Sequence, residues 1–263
     1  MASAYKTTRL LPLLTGISRY EKTVSTANRG TGQFIHAPII AYLIETPNGR
    51  ILYDTGCDYR KLATPTARKH YFARFLPVFE APHMNDTQRI PHYLQRLGLT
   101  LQDIDLILLS HLHFDHAGGL HELAGCEVHL HKTELEAALS GTVTGVFPDE
   151  IANHANWHLH NADDELAPGI HTLHTPGHTA GHLSLKIEFA HSRPVILCGD
   201  AADLQENLTD EIAPGYCWQD NETLALASIR KLKALAQQTH AELWPNHDLA
   251  FFQTLPAFPT WRE

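Results

Sequence analysis

The chain contains no apolar run approaching the roughly 20 residues needed to cross a bilayer, so no transmembrane segment and no membrane partner are expected. The early stretch Leu10-Leu11-Pro12-Leu13-Leu14 is too short and too interrupted by proline for a secretory signal, and no clear cleavage site accompanies it. A cytoplasmic protein is the expectation. Basic clusters are missing too: the formal charge is -9 and no run of Lys and Arg could hold a phosphate backbone, so nucleic acid is not an expected partner. Cysteine is scarce. Cys57, Cys126, Cys198 and Cys217 lie far apart without a CxxC pair, which leaves neither a disulfide framework nor a thiolate zinc site. They are expected as small buried hydrophobes. Internal repeats and low-complexity linkers are also absent, and 263 residues with 43% hydrophobic and 19% charged side chains suffice for one domain, 1–263, with a substantial core.

Histidine is plentiful, with 20 in the chain. Residues 111 to 116 read His-Leu-His-Phe-Asp-His, directly after the apolar run Asp105 to Ser110 and before Ala117-Gly118-Gly119. Imidazole nitrogen and carboxylate oxygen are the donors that zinc and its first-row neighbours accept. In an extended or tightly turning segment His111 and His113 point the same way, while Asp115 and His116 fall past the turn and can address a second ion. One peptide can therefore begin two metal sites.

Apolar runs elsewhere are short. Ala37 to Thr46 and Arg50 to Asp54 flank Pro47-Asn48-Gly49, a hairpin signal. Further strands are expected at 105–110, 127–131, 169–174, 183–189, 194–199 and 241–244, and helices at 90–97, 132–139 and 220–239, the last with apolar residues at near-helical spacing. A hairpin followed by alternating strands and helices suggests a layered α/β protein. The segment 59–92 mixes arginine, lysine, proline and aromatic residues without a period. It reads as a lid or a dimer contact, with a packed surface loop as the alternative.

Other ligands should also sit at strand exits, where loops on one edge of a sheet assemble a pocket. His178 lies in the sharp turn Thr175-Pro176-Gly177-His178, Asp200 ends the run 195–199, and His247 follows Glu242-Leu243-Trp244-Pro245-Asn246. Each is weak alone, since a lone histidine is as often a satisfied core residue. Their common position makes the set strong. His154, His158 and His160 could be imagined as another cluster, but a solvated helix or loop is the expected reading. His129 and His131 should alternate on a strand near the surface. Phe114 and Trp218 are candidates for an acyl pocket, with plain core as the alternative.

Residues 111–119, Thr175-Pro176-Gly177-His178, Gly199-Asp200-Ala201, His247-Asp248 and Asp54-Thr55-Gly56 together resemble the metallo-β-lactamase superfamily. Within it, Phe114, the sequence His178-Thr-Ala-Gly-His182 and the overall length resemble the N-acyl homoserine lactonases, which destroy quorum-sensing signals. The resemblance implies an αββα sandwich with a dinuclear metal site at one edge of its sheets. His111, His113 and His178 would hold one ion, Asp115, His116 and His247 the other, and Asp200 would bridge them, with Asp54 orienting a ligand imidazole. Two divalent ions would be expected, zinc first, with iron, cobalt or manganese acceptable to the same donors. Such a site would carry a bridging hydroxide that opens the lactone of an N-acyl homoserine lactone, with Asp115, Asp200 and Asp203 as its catalytic carboxylates. Another small lactone of the γ-butyrolactone type and a glyoxalase II-like thioester are the alternative substrates. The family pattern has a tyrosine three residues after the bridging aspartate, where this chain has Asp203. That leaves Asp203 as a substitute acid, a substrate-orienting group or a surface residue. A homodimer is expected from the 59–92 segment.

Overall fold

The computed structural model describes residues 8–152 and 156–263. One sheet has six strands in the order β1 (Arg9–Glu21), β2 (Phe34–Thr46), β3 (Gly49–Tyr53), β4 (Leu106–Leu108), β5 (Glu127–His131) and β6 (Trp157–His160). The other has five, running β11 (Glu242–Trp244), β10 (Val195–Leu197), β9 (Leu183–Ile187), β8 (Ile170–His174) and β7 (Asp164–Ala167). Strands β1 to β3 pair antiparallel and β3 to β6 parallel. In the second sheet β7 to β10 are antiparallel and β11 is parallel to β10.

Side-chain alternation builds the layers. On β2, Tyr42 and Ile44 turn toward Leu185, Ile187 and Val195 of the other sheet, while Ala41 and Leu43 turn toward Ile90 and Leu94 of the helix Ile90–Arg96. The second sheet buries Leu173, Ile196 and Cys198 against Ile229, Leu232 and Ala236 of the helix Glu222–Thr239. The result is helix, sheet, sheet, helix. Strands buried on both faces lose the polar alternation that would otherwise mark them, which is why β2 reads as an unbroken apolar run.

The expected hairpin forms, with Thr46 paired to Gly49 and the Thr46 hydroxyl donating to the Gly49 carbonyl. The long helix begins at Glu222 rather than 220, because Gln219 and Asp220 are left-handed and Asn221 caps it by accepting from the Leu224 amide. Strand β1 was not anticipated. Pro12 within it removes a donor, which is tolerated because β1 is an edge strand pairing only with β2 along its length. The segment 59–92 docks on that edge through the amides of Ile17, Glu21, Glu80 and His83. The histidines expected in a solvated helix or loop stand instead on a strand, β6 carrying His158 and His160, because cross-strand pairing to β5 supplies what local pattern does not. His154 lies outside the described residues. His129 and His131 are buried rather than superficial, at 9% and 3% exposure, since β6 and β8 cover them. All four cysteines are free and buried.

Candidate metal centre

The strands β3, β4, β8, β10 and β11 run in one direction within their sheets, so their C-terminal ends share an edge, the usual place for a site in such sheets. Asp54 follows β3, the His111–His116 turn follows β4, His178 follows β8, Asp200 follows β10 and His247 follows β11. The two sheets are tied there by the Leu183 amide donating to the Ser110 carbonyl and the Tyr53 hydroxyl donating to the Leu183 carbonyl.

The turn after β4 is folded by its neighbours. Gly118 and Gly119 pass so close to the loop 55–58 that a side chain would collide: a Cβ on Gly119 would sit 2.3 Å from the Thr55 carbonyl oxygen. The glycine pair thus lets the single helical turn Phe114–Ala117 settle on that loop. Glu134 is fully buried and its carboxylate accepts the Leu112 amide at 3.1 Å and the Gly181 amide at 2.9 Å, lacing the two histidine loops together.

The donors form two groups that share Asp200. His111 Nε2 and His178 Nε2 each lie 3.0 Å from His113 Nδ1, and Asp200 Oδ2 is 3.4 Å from His178 Nε2 and 3.8 Å from His111 Nε2. Asp200 Oδ1 is 3.4 Å from His116 Nε2 and 3.2 Å from His247 Nε2, and Asp115 Oδ2 lies 3.8 Å and 3.9 Å from the same two nitrogens. Asp200 Oδ2 is also 3.3 Å from His247 Nε2, so one carboxylate lies between the two groups.

The far nitrogens explain how the rings are aimed. His247 Nδ1 is held by the Pro38 carbonyl at 2.8 Å and His178 Nδ1 by the Tyr216 carbonyl at 3.1 Å. A carbonyl can only accept, so each ring carries a proton on Nδ1 and turns Nε2 inward. Asp54 does the same for His116, taking its Nδ1 at 2.8 Å while accepting the Ser110 amide at 2.7 Å and the Ser110 hydroxyl at 2.9 Å. His116 Nε2 is buried without a hydrogen-bond partner of its own. Inward-turned Nε2 atoms, one of them buried without a partner, and a shared carboxylate are what two divalent cations would satisfy.

Charge divides the groups. Burial holds the imidazoles of His113 and His178 at about 3, and that of His111 well below its usual value, so all three are neutral. Burial also opposes charge on His116 and His247, but Asp200 and neighbouring carboxylates overcome it, raising His116 well above the usual range and His247 to about 10. Asp200 is in turn driven well below the carboxylate range: burial resists, and His116 and His247 prevail. Protons here occupy places that metal cations would take.

A cavity of about 380 Å³ opens onto these donors, with His113, Asp115, His178, Asp200, Asp203 and His247 at its polar end. Phe75, Val78, Phe79 and Phe114 form an apolar wall. Asp203 is 3% exposed, so it is not a surface residue; its Oδ1 is buried without a hydrogen-bond partner, and burial and Asp200 push its carboxyl up to about 8. Trp218 does not line the cavity. Its amide donates to the Gly177 carbonyl, and Tyr216 takes the wall position with its ring against His113 and His178. Tyr20 on β1 also lines the cavity, its hydroxyl 2.8 Å from Ser25 Oγ. Sequence reading passed over Tyr20, Tyr216, Glu134 and Asn246, whose side-chain amide donates to Asp200 at 2.9 Å. Only Asn246, next to His247, carried a local signal.

This arrangement defines a class. The family described as metallo-beta-lactamase superfamily matches residues 38–247, and the chain belongs to it. The N-acyl homoserine lactonase AiiA of Bacillus thuringiensis subsp. kurstaki is 34% identical over 228 residues, covering 87% of this chain and 88% of that one. The AiiB lactonase of Agrobacterium fabrum is 30% identical over 184 residues, 65% of each chain. A solved N-acyl homoserine lactone hydrolase, with the product N-hexanoyl-L-homoserine at its catalytic metal centre, superposes with a TM-score of 0.87 at 31% identity, covering 97% of this chain and 98% of that one. Within the superfamily, the chain belongs to the N-acyl homoserine lactonases.

Proposed function

We propose that this protein is a dinuclear metal hydrolase that opens the lactone ring of N-acyl homoserine lactones. The observation that carries the reading is Asp200, whose carboxylate lies between the two donor groups at the polar end of an apolar cavity. His111, His113 and His178 would hold one divalent ion, zinc first, and Asp115, His116 and His247 the other. When bound, such a pair supplies Lewis acidity toward a carbonyl and a nucleophile at neutral pH.

The chain's own residues do the rest. Asp54, Pro38 and Tyr216 fix the tautomers of the ligand imidazoles. Phe75, Val78, Phe79 and Phe114 offer an acyl chain a dry wall, worth about 0.8 kcal/mol per buried methylene. Asp203, with an unpartnered oxygen in the cavity wall, orients the lactone where the family pattern has a tyrosine. The 59–92 segment acts as a lid, since it supplies Phe75, Val78 and Phe79 to that wall while anchored on β1. Leu76 and Val78, 57% and 42% exposed, are its candidate homodimer contacts. A cytoplasmic location goes with four unpaired cysteines.

The test is proton release from a short-chain and a long-chain N-acyl homoserine lactone by the metal-loaded protein. Asp200→Asn should abolish turnover, and Asp203→Ala should lower kcat/KM while leaving the metal content intact. No turnover on either lactone would overturn the substrate assignment and direct attention to γ-butyrolactones and thioesters.

A further inference from the structure

A second group of donors lies on the β5–β6 pair. Val128 and Leu130 of β5 face the helical layer, so Glu127, His129 and His131 face the other way. Parallel pairing sets His129 directly opposite His158, and their rings stack 5.1 Å apart at 13°. Glu127, two residues before His129, lies on the same face and divides its carboxylate between them. Oε1 is 2.7 Å from His129 Nε2 and Oε2 is 3.4 Å from His158 Nε2. The three donor atoms lie within 4.8 Å of one another.

We propose that Glu127, His129 and His158 form a metal site distinct from the dinuclear centre, taking one first-row divalent ion such as zinc. Two imidazoles and a carboxylate are a donor set that zinc and copper accept, with remaining positions left to water. His129 is oriented as a ligand imidazole must be. Its Nδ1 is 2.8 Å from His160 Nε2, and His160 Nδ1 is 3.3 Å from an Asp164 carboxylate oxygen, so a chain of ring nitrogens ending on a carboxylate fixes the tautomer. Side-chain exposures of 39% for Glu127 and 50% for His158 give an ion a path from solvent. Among the described residues no Lys or Arg pairs with Glu127. An ion held there pins the edge strand β6 to β5, through ligands that belong to neither group at the Asp200 centre.

The experiment compares the full chain with His158→Ala and Glu127→Gln after dialysis against micromolar free zinc, with zinc per chain measured by mass spectrometry. Both changes are at partly exposed positions outside the catalytic cavity, so folding and lactone turnover should be retained. The wild type should hold one equivalent more than either variant, and its melting temperature should rise further than theirs as zinc is raised a further hundredfold, since the dinuclear centre adds the same gain to all three. Because the result is a difference, occupancy of the dinuclear centre cancels from it. Equal zinc content in all three proteins would overturn the proposal, as would an equal rise in melting temperature.

Discussion

Asp54→Asn isolates the logic of the metal centre because it changes one atom's chemistry and almost no volume. Asp54 Oδ1 accepts the Ser110 amide, and Oδ2 accepts both the Ser110 hydroxyl and His116 Nδ1. An asparagine has one acceptor oxygen, which the Ser110 amide claims. The NH₂ group then faces His116 Nδ1 and, as a donor, requires that nitrogen to accept. The proton moves to His116 Nε2, the atom 3.4 Å from Asp200 Oδ1 that should hold the second ion. Loss of such an orienting partner costs about 10–100-fold in metal affinity, or about 1.4–2.7 kcal/mol. The first group is reached only through Ser110, whose hydroxyl lies 2.9 Å from His111 Nδ1, while the Tyr216 carbonyl orients His178 independently, so its affinity should fall less. Competition with a chelator, followed by metal analysis at each step, should release one ion from Asp54→Asn at about 10–100-fold lower chelator than from the wild type, and the other with a smaller shift. Release of both ions together, or neither earlier than wild type, would refute the reasoning.

Protons and metal compete at the second group only. In the metal-free protein His247, raised to about 10, and His116, also raised, are charged at neutral pH, so loading must expel their protons and tighten as pH rises from 6 toward 9. Neutral His111, His113 and His178 should load almost independently of pH in that range, and zinc titrations at pH 6, 7 and 8 would separate the two behaviours. Gly119→Ala would place a methyl 2.3 Å from the Thr55 carbonyl oxygen, destabilising by about 1–3 kcal/mol and lowering the melting temperature by several degrees. An unchanged melting curve would contradict the close approach. Phe79→Ala removes part of the apolar wall and should lower kcat/KM about tenfold more for a long-chain than for a short-chain lactone. Equal losses would place the acyl chain elsewhere.

Much of the donor cluster was readable from sequence because each candidate donor lies next to a feature with a local signature. His111 to His116 follow an apolar run and precede two glycines, His178 sits in a Pro-Gly turn, and Asp200 ends a short apolar run. Strand exits and turns are decided within a few residues, so pattern and steric need coincide. What orients those side chains comes from far along the chain and left no local mark. Pro38 and His247 are 209 residues apart, Glu134 reaches Gly181 across 47, and Asp54 reaches His116 across 62. Strand β1 hid behind a proline that only an edge position permits, and β6 behind polar residues that only pairing with β5 makes extended. The donors at the Asp200 centre were thus set by sequence, since their chemistry and their turns are local. Their tautomers, their division into two groups around Asp200, and the meeting of His129 with His158 were decided by tertiary structure, because hydrogen bonding and register depend on which strands come to lie side by side.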